Sequence, residues 1–407
     1  MLKAYKYRVY PSKTQTQTLA QMFGCSRYIY NWGLETKTKA YTANKETLSS
    51  FDLANQLPEL KQEKEWLKKP PSQTLQMALR NLDNAFQNFF RQKTEYPKFK
   101  SKKTHYHTLQ FPQGVKIDKD NGIIKLPKIG IIRCKFHRNF SGTVKTVTLS
   151  QVPSNKYFVS ILIDDKVEEP QLEVIDLKRT IGIDLGLHTF AAISNGTKIP
   201  SQIISDTLKT KLKKLQRQHA KAQKGSKNKE KLRIKVARTY EKITNIKNDI
   251  LHKVSRQLID DNQVNTIALE TLNIKGMLKN DKLSSQIHDA SWYKFVSYLE
   301  YKARWAGKNI LRIGRFEPSS KLCSTCGYKK ADLKLSDRKW QCPECGSQHD
   351  RDINAAINIR DLALHKQNVI GLGRPKSKAC GSCSDGAASV VASHHGMKQE
   401  ASSKPKV

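Results

Sequence analysis

Two acidic residues stand in apolar runs of the chain, where an unpaired carboxylate would be costly. Asp184 lies within the run Ile181-Gly-Ile-Asp-Leu, and Glu270 closes the run that begins at Thr266. Both runs have the composition of buried strands. A carboxylate that is removed from water needs a compensating charge, so we predict that both side chains bind a metal ion. For Asp184 alone, an exposed hairpin at Gly186 is an alternative explanation.

A third acid is predicted from the segment His349-Asp-Arg-Asp-Ile. Apolar residues follow it at helical spacing, which places Asp352 in the first turn of a helix. Asp350 and Asp352 are also explained as a helix N-cap and a surface charge that matches the helix dipole. Two acids at strand ends and one on a helix match an RNase H-like site, in which carboxylates hold two metal ions about 4 Å apart. The expected chemistry is metal-assisted hydrolysis.

The cysteines indicate a second, structural metal site. Cys323-Ser-Thr-Cys326 and Cys342-Pro-Glu-Cys345 are two C-x-x-C pairs with 15 residues between them, and a glycine directly follows each pair. Four thiolates at this spacing can complete a tetrahedron, so we expect one zinc ion. A rubredoxin-like iron site or a redox-active pair of dithiols are the alternatives. A closed site of this kind organises structure and does not catalyse.

The chain carries a large excess of positive charge. Among its 407 residues, 73 Lys and Arg stand against 36 Asp and Glu, which gives a net charge of +37. Such an excess favours nucleic acid over a solvated surface or anionic lipid, because each neutralised phosphate releases counterions. The sequence contains neither an apolar run long enough for a membrane span nor the pattern of a secretory signal. We expect a cytoplasmic protein without a membrane partner.

The elements around these groups are of two kinds. A strand from Lys3 to Tyr10 ends at Pro11, and further β-type runs lie between about residues 107 and 165. They predict a small antiparallel barrel that the first strand completes. From about residue 12 to residue 90 the pattern is helical, with an apolar stripe. The helical block would therefore be inserted between two strands of the barrel. The stripe consists of Leu75, Leu79, Leu82, Phe86 and Phe89.

Two helical surfaces are candidates for contact with nucleic acid, although a solvated surface would explain each residue singly. Opposite the apolar stripe, Gln73, Gln76 and Arg80 share one face; glutamine suits adenine and arginine suits guanine. The stretch 209–256 contains 17 Lys and Arg but three acids, and it predicts two basic helices that break near Gly225 and face phosphates. The candidates there are Lys213, Arg217, Lys235 and Arg238.

Six motifs follow one another along the chain. They are Tyr7-Arg-Val-Tyr-Pro, Gly182-Ile-Asp-Leu-Gly, Leu269-Glu270, Pro318-Ser-Ser-Lys-Leu-Cys-Ser-Thr-Cys-Gly, Leu335-Ser-Asp-Arg-Lys-Trp-Gln-Cys-Pro-Glu-Cys-Gly and Asp350-Arg-Asp-Ile-Asn-Ala-Ala. In this order they resemble the motifs of the TnpB family, transposon-encoded proteins similar to compact type V CRISPR nucleases. The resemblance covers about residues 1–375. It implies that the family's acids fall on Asp184, Glu270 and Asp352, since the third acid of the family precedes x-Asn-Ala-Ala.

The resemblance implies a multidomain α+β fold. It would combine an oligonucleotide-binding-like β-barrel, which carries an inserted helical lobe, with an RNase H-like (RuvC) α/β nuclease domain that a zinc ribbon interrupts. The predicted stretches are the first barrel strand (1–10), a helical recognition lobe (11–106), the rest of the barrel (107–175), the first part of the nuclease domain (176–316), the zinc ribbon (317–348), the last part of the nuclease domain (349–372) and a flexible tail (373–407). Cys380 and Cys383, in the tail, stay unassigned.

The resemblance further implies an RNA-guided DNA endonuclease of a transposon. Its partners would be a guide RNA from the transposon end and double-stranded target DNA beside a transposon-adjacent motif. Base pairing would supply most of the specificity. The cofactors would be two Mg²⁺ ions, with Mn²⁺ as a substitute, and one structural Zn²⁺. A nuclease-inactive RNA-guided regulator and a recombinase with a similar acidic triad are the alternatives, and the presence of all three acids argues against the regulator. The segment 275–291 is predicted to form a lid.

Overall fold

The structure is a computed structural model that describes residues 1–201, 205–281, 283–315, 317–334 and 336–367. The predicted tail, with Cys380 and Cys383, lies outside the described residues. Within the described part of the chain, no helix has the length and apolar character that crossing a membrane requires.

A seven-stranded antiparallel sheet forms the first unit. Its strands are β1 (Leu2–Tyr10), β2 (His107–Phe111), β3 (Lys116–Asp118), β4 (Ile123–Leu126), β5 (Gly130–Lys135), β6 (Thr143–Gln151) and β7 (Tyr157–Asp164). The order is β2-β6-β7-β1-β5-β4-β3, so the first strand of the chain lies in the middle of the sheet. Alternate residues such as Tyr7, Val9, Val159 and Ile161 meet in one apolar core. The closure of this sheet into a barrel stays a prediction.

Four helices lie in the chain between β1 and β2. They are α1 (Lys13–Asn44), α2 (Ser50–Asn55), α3 (Leu57–Glu63) and α4 (Ser72–Phe90). Ser12 starts α1, because its hydroxyl accepts from the Gln15 N–H while the Gln15 side chain accepts from the Ser12 N–H. Gly33 allows α1 to approach α4 closely, since a Cβ there would lie 2.8 Å from a methyl carbon of Leu79. Of the predicted apolar stripe, Leu75, Leu79 and Leu82 are buried, whereas Phe86 and Phe89 are only partly buried.

A mixed five-stranded sheet forms the second unit. Its strands are β8 (Thr180–Leu185), β9 (Thr189–Ile193), β10 (Lys198–Pro200), β11 (Thr266–Glu270) and β12 (Asn309–Ile313), in the order β10-β9-β8-β11-β12. Strands β8, β11 and β12 are parallel, while β9 and β10 run antiparallel to their neighbours. The helices of this part are α5 (Asp206–Lys221), α6 (Lys227–Asp260), α7 (Ile274–Met277), α8 (Ser284–Ala290), α9 (Trp292–Ala306) and α10 (Arg351–Lys366).

The two faces of this sheet pack against different helices. Side chains of a strand alternate between its faces, and the odd-numbered Ile181, Ile183, Ile267 and Leu269 share a core with residues of α6 and α9. The even-numbered Ala268 packs instead with residues of α10. A small hairpin of β13 (Lys339–Gln341) and β14 (Gln348–Asp350) precedes α10. The predicted multidomain α+β class is confirmed.

Candidate active site and zinc ribbon

Strand register places the first two acids side by side. Ile183 on β8 pairs with Leu269 on β11 in a parallel ladder, so the residues that follow, Asp184 and Glu270, lie at the same level of the sheet. Both have even numbers and therefore share the face that Ala268 presents to α10. The predicted strand-end carboxylates are thus neighbours on the α10 face.

Gly182 allows α10 to bring the third acid to the same place. A Cβ on Gly182 would lie 2.0 Å from the carbonyl oxygen of Ala356 and 2.7 Å from the backbone nitrogen of Arg360, so no side chain fits between β8 and α10. Asp352 lies one helical turn before Ala356 and hence on the same face of α10. Asp184 lies two residues after Gly182 on the same face of β8. The tight contact therefore directs Asp352 towards Asp184.

The neighbouring Asp350 has a different environment. Its carboxylate accepts the backbone N–H groups of Asp352 and Ile353, both at 3.2 Å, and so caps α10. It also accepts a hydrogen bond from Lys198 Nζ at 2.7 Å. Burial alone would raise the pKa of Asp350, but the Lys198 and helix N–H hydrogen bonds bring it below its ordinary value. Lys198 therefore neutralises the charge of Asp350. Asp352 lies farther from the neighbouring cations, at 3.9 Å from Lys198 and 4.0 Å from Arg338.

The electrostatics of the three acids favour a bound cation. Burial, followed by the negative charges of Asp352 and Glu270, raises the pKa of Asp184 to about 7, against an opposing effect of Arg351. Burial also raises the pKa of Glu270. Ionised Asp184 is therefore unfavourable beside the other two carboxylates, and a bound metal ion would stabilise the ionised form in place of the proton.

The spacing of the carboxylates differs from that of the cysteines. Among the described residues, the four cysteines are the group whose ligand atoms all lie within 4.8 Å of one another; the three carboxylates are spread more widely. Oxygens around a single Mg²⁺, at about 2.1 Å from it, would lie within roughly 4.2 Å of one another. The number of metal ions that the carboxylates would hold stays a prediction.

The cysteine cluster has the geometry of a tetrahedral metal site. Cys323 and Cys345 have sulfurs 3.7 Å apart, and those of Cys326 and Cys342 are 3.6 Å apart. Zinc–sulfur bonds of about 2.3 Å place neighbouring sulfurs about 3.8 Å apart in a tetrahedron, whereas a disulfide would need about 2 Å. The two glycines that follow the pairs have φ of +83° and +73°, as the knuckle turns require. The donor set fits the predicted structural zinc ion.

The zinc ribbon is fastened to the helix that carries Asp352. Asn354, one turn into α10, accepts from the Ser324 N–H at 2.9 Å and donates to the Leu322 carbonyl at 2.7 Å. Asn358 donates to the carbonyls of Ser319 and Leu322. Both asparagines are buried. Asn354 and Asn358, the two asparagines of the Asn-Ala-Ala-Ile-Asn motif, thus hold the first cysteine knuckle against α10.

The predicted nucleic-acid contacts lie on three helices, α4, α5 and α6. Gln76 and Arg80 are exposed on α4, and Gln73 is half-buried. Lys213, Arg217, Lys235 and Arg238 are all exposed on α5 and α6, on either side of the predicted break near Gly225. Their contacts with nucleic acid stay predictions. The predicted lid, residues 275–291, contains most of α7 and all of α8. Ile287 is buried, and Asp289 pairs with Lys247 at 2.8 Å.

A basic cleft was not predicted from the sequence. It has a volume of about 1090 Å³ and is lined by residues of the antiparallel sheet, of α6 and of α9. One acid, Glu241, lines it along with six basic residues. A guanidinium nitrogen of Arg8 is buried there without a hydrogen-bond partner among the described residues. The six basic residues are Lys6, Arg8, Lys135, Arg138, Arg233 and Lys294.

Three family domains match parts of the chain. Residues 164–281 match the "Probable transposase" domain of IS605 OrfB proteins, and residues 292–359 match the "Cas12f1-like, TNB domain". Residues 1–46 match a "Helix-turn-helix domain" of the IS605 group. That last description does not fit this segment, in which β1 is followed by a single continuous helix, α1.

Relatives match over most of their length. A Streptomyces pristinaespiralis protein named "Putative RNA-guided DNA endonuclease" is 37% identical over 367 residues, which cover 89% of each chain. The Escherichia coli K12 "Putative RNA-guided DNA endonuclease InsQ" is 32% identical over 375 residues, 88% of this chain and 91% of the relative. The fold is similar to that of Cas12f1 in a complex with sgRNA and target DNA, with a TM-score of 0.53 at 14% identity over 88% of this chain and 98% of that one. The chain therefore belongs to the TnpB family, as its motifs predicted.

Proposed function

We propose that this protein is an RNA-guided DNA endonuclease of an insertion sequence, which cleaves DNA by metal-dependent phosphodiester hydrolysis. The observation that carries the proposal is the meeting of Asp184, Glu270 and Asp352 on one face of the sheet, where the two other charges help to raise the pKa of Asp184 to about 7. The relatives named as RNA-guided DNA endonucleases support the same activity. The strand order and the position of α10 support an RNase H-like, RuvC-type domain.

The three acids would hold two Mg²⁺ ions, for which Mn²⁺ could substitute. When bound, such ions activate water and stabilise the leaving oxygen. The chain's own contribution is the placement of the ligands. Gly182 sets the separation of β8 and α10, and Asp350 fixes the first turn of α10 while it neutralises Lys198. The zinc ribbon braces the same helix through Asn354 and Asn358.

The basic cleft is the proposed seat of the guide RNA and its hybrid with the target strand. Its cations lie on β1 and β5 of the antiparallel sheet and on α6 and α9 of the second unit. A duplex in the cleft would therefore contact β1, β5 and α6 together. Lys6, Lys135 and Arg138 are exposed in the cleft and would donate to phosphate oxygens. Phosphate contacts position a nucleic acid without reading its sequence, and pairing with the guide would then select the target. The exposed face with Gln76 and Arg80 is proposed to read the transposon-adjacent motif.

One experiment tests the proposal as a whole. The protein is purified with its RNA, the RNA is sequenced, and the complex is incubated with Mg²⁺ and plasmids that carry the matching target beside randomised flanks. We expect cleavage beside one class of flank, and its loss in Asp184→Ala. The matched control is Asp249→Asn, an exposed carboxylate on α6 that pairs with Lys253. Targets that are bound and left intact would indicate a guided regulator, and joined DNA products would indicate a recombinase.

A further inference from the structure

The helical insertion carries an aromatic groove that the proposed chemistry does not use. It lies between the C-terminal parts of α1 and α4 and the segment that follows α4, and its volume is about 630 Å³. Among its aromatic side chains, Phe90 is 72% exposed, Tyr41 is 56% exposed and Tyr96 is 46% exposed. Phe86 and Phe89 complete the lining. Clustered apolar surface that is this open to water marks a binding site.

The rings are held in fixed positions. Tyr96 meets Phe86 edge-on, with centroids 5.5 Å apart and planes at 89°, and it meets Phe89 in the same way at 5.4 Å and 82°. The Tyr96 hydroxyl lies 3.1 Å from that of Thr38 on α1. Asn31 anchors the segment beyond Tyr96, because its side-chain amide exchanges two hydrogen bonds with the Lys100 backbone, at 2.8 and 3.0 Å. The groove is therefore preorganised for a flat ligand.

The charges around the groove select the kind of ligand. Segments 37–48 and 89–100, which frame it, contain seven Lys and Arg and two acids. Lys45 Nζ lies 5.1 Å from the Tyr41 ring centroid, and the exposed Arg91 and Lys93 follow Phe90. A second copy of this chain, with a net charge of +37, would bring like charges together at this surface. A polyanion that offers flat rings complements both the charge and the shape.

We propose that the aromatic groove binds unpaired bases of RNA. Aromatic side chains stack on splayed-out bases, while Lys45, Arg91 and Lys93 would meet the phosphates. Glu46 and Thr47 also line the groove; their oxygens can accept a hydrogen bond from a ribose 2′-hydroxyl, which DNA lacks. The inference rests on the proposed function, since an RNA-guided protein holds RNA outside the guide–target hybrid. It adds a stacking site on the helical insertion to the phosphate-binding cleft.

The first measurement locates the contact. The complex of the full chain and its co-purified RNA is irradiated with ultraviolet light and digested, and the peptides are analysed by mass spectrometry. We expect a ribonucleotide adduct on the peptide that contains Phe86 to Tyr96. The same irradiation with target DNA present should not replace it with a deoxyribonucleotide adduct. A DNA adduct in its place would overturn the assignment to RNA.

The second measurement uses matched variants. Phe90→Ala removes the outermost ring, whereas Phe51→Ala removes a ring that is 73% exposed on α2 and does not line the groove. With the purified RNA as probe, Phe90→Ala should bind roughly five- to hundred-fold more weakly, as the loss of one stacked base implies. Its salt dependence should be unchanged, because no phosphate contact is lost. Phe51→Ala should bind like the unmodified chain.

Two outcomes would overturn the proposal and leave the proposed function intact. Equal affinities for Phe90→Ala and Phe51→Ala would show that no base stacks in the groove, even if Mg²⁺-dependent cleavage is normal. A concentration-dependent dimer in sedimentation, abolished by Phe90→Ala, would show that a second copy occupies the groove. Conversely, a complex that binds RNA through the groove and never cleaves DNA would refute the proposed endonuclease and leave the stacking site standing.

Discussion

Replacing Gly182 with alanine should separate the third acid from the other two. The added Cβ would lie 2.0 Å from the Ala356 carbonyl oxygen, whereas ordinary contact begins at 3.4 Å. Helix α10 would have to withdraw by about 1.4 Å, the difference between those distances. Overpacking of this kind costs about 1–3 kcal/mol of folding free energy. A displacement of about 1 Å at reacting groups costs about 100-fold in rate, so we expect the cleavage rate to fall by about that factor.

The assay separates displacement from unfolding. Cleavage of a matched target in Mg²⁺ is timed for Gly182→Ala, while circular dichroism and zinc content report the fold and the ribbon. Gly314→Ala is the matched control, because Gly314 directly follows β12 of the same sheet and a Cβ there would have its nearest neighbour at 3.6 Å. A folded, zinc-loaded Gly182→Ala protein that cleaves at the normal rate would refute the role of this contact in placing Asp352.

Three further predictions concern the same region. Asp352→Asn should reduce cleavage to background, whereas Asp350→Ser, which retains an N-cap, should keep most of it; equal losses in the cleavage assay would contradict the division of roles between the two acids. The pKa of Asp184 is about 7, and its proton must leave before a metal ion binds. The Mg²⁺ concentration for half-maximal cleavage should therefore rise as the pH falls below 7. A concentration that stays constant from pH 6 to about 8 would contradict this. Asn354→Ala leaves the Ser324 N–H of the cysteine knuckle without its acceptor and removes one of the two donors to the Leu322 carbonyl. Chelator-driven zinc release should therefore be faster and cleavage about 10–100-fold slower, and unchanged release kinetics would contradict the role of Asn354 in holding the knuckle.

The positions of Asp184 and Glu270 near the ends of buried strands could be predicted from the sequence because the required information is local, whereas their role as metal ligands stays a prediction. A carboxylate at the end of an apolar strand, such as Glu270, is costly to bury, and the sequence of the strand alone shows that it needs a partner. The choice between Asp350 and Asp352 was not local, and it came from the family resemblance. The structure gives a physical account of the difference, in which Asp350 caps the helix and pairs with Lys198. The spacing of the cysteines likewise predicted a cluster that the fold brings together.

The basic cleft and the aromatic groove could not be predicted in this way. Lys6, Arg138, Arg233 and Lys294 come from four distant parts of the chain, and no periodicity links them. The aromatic groove could not be predicted from the sequence for a different reason. Phe86 and Phe89 continue the apolar stripe of α4 at the same helical spacing as Leu82. At this end of α4, however, α1 does not cover them completely. A periodic pattern shows which face of a helix is apolar, and it does not show where the covering element stops.

The central position of β1 has a consequence for synthesis of the chain. Residues 2–10 leave the ribosome well before their partners β5 and β7, which end at Lys135 and Asp164. Both edges of the nascent strand therefore stay unpaired while α1 and α4, which contact each other, can already form. A chain that stops after α4 would display an unpaired strand with apolar residues, which is a template for aggregation. The helical insertion does not escape this dependence, because Leu19, Met22 and Phe23 of α1 are buried in the core of the same sheet and stay exposed until its strands assemble.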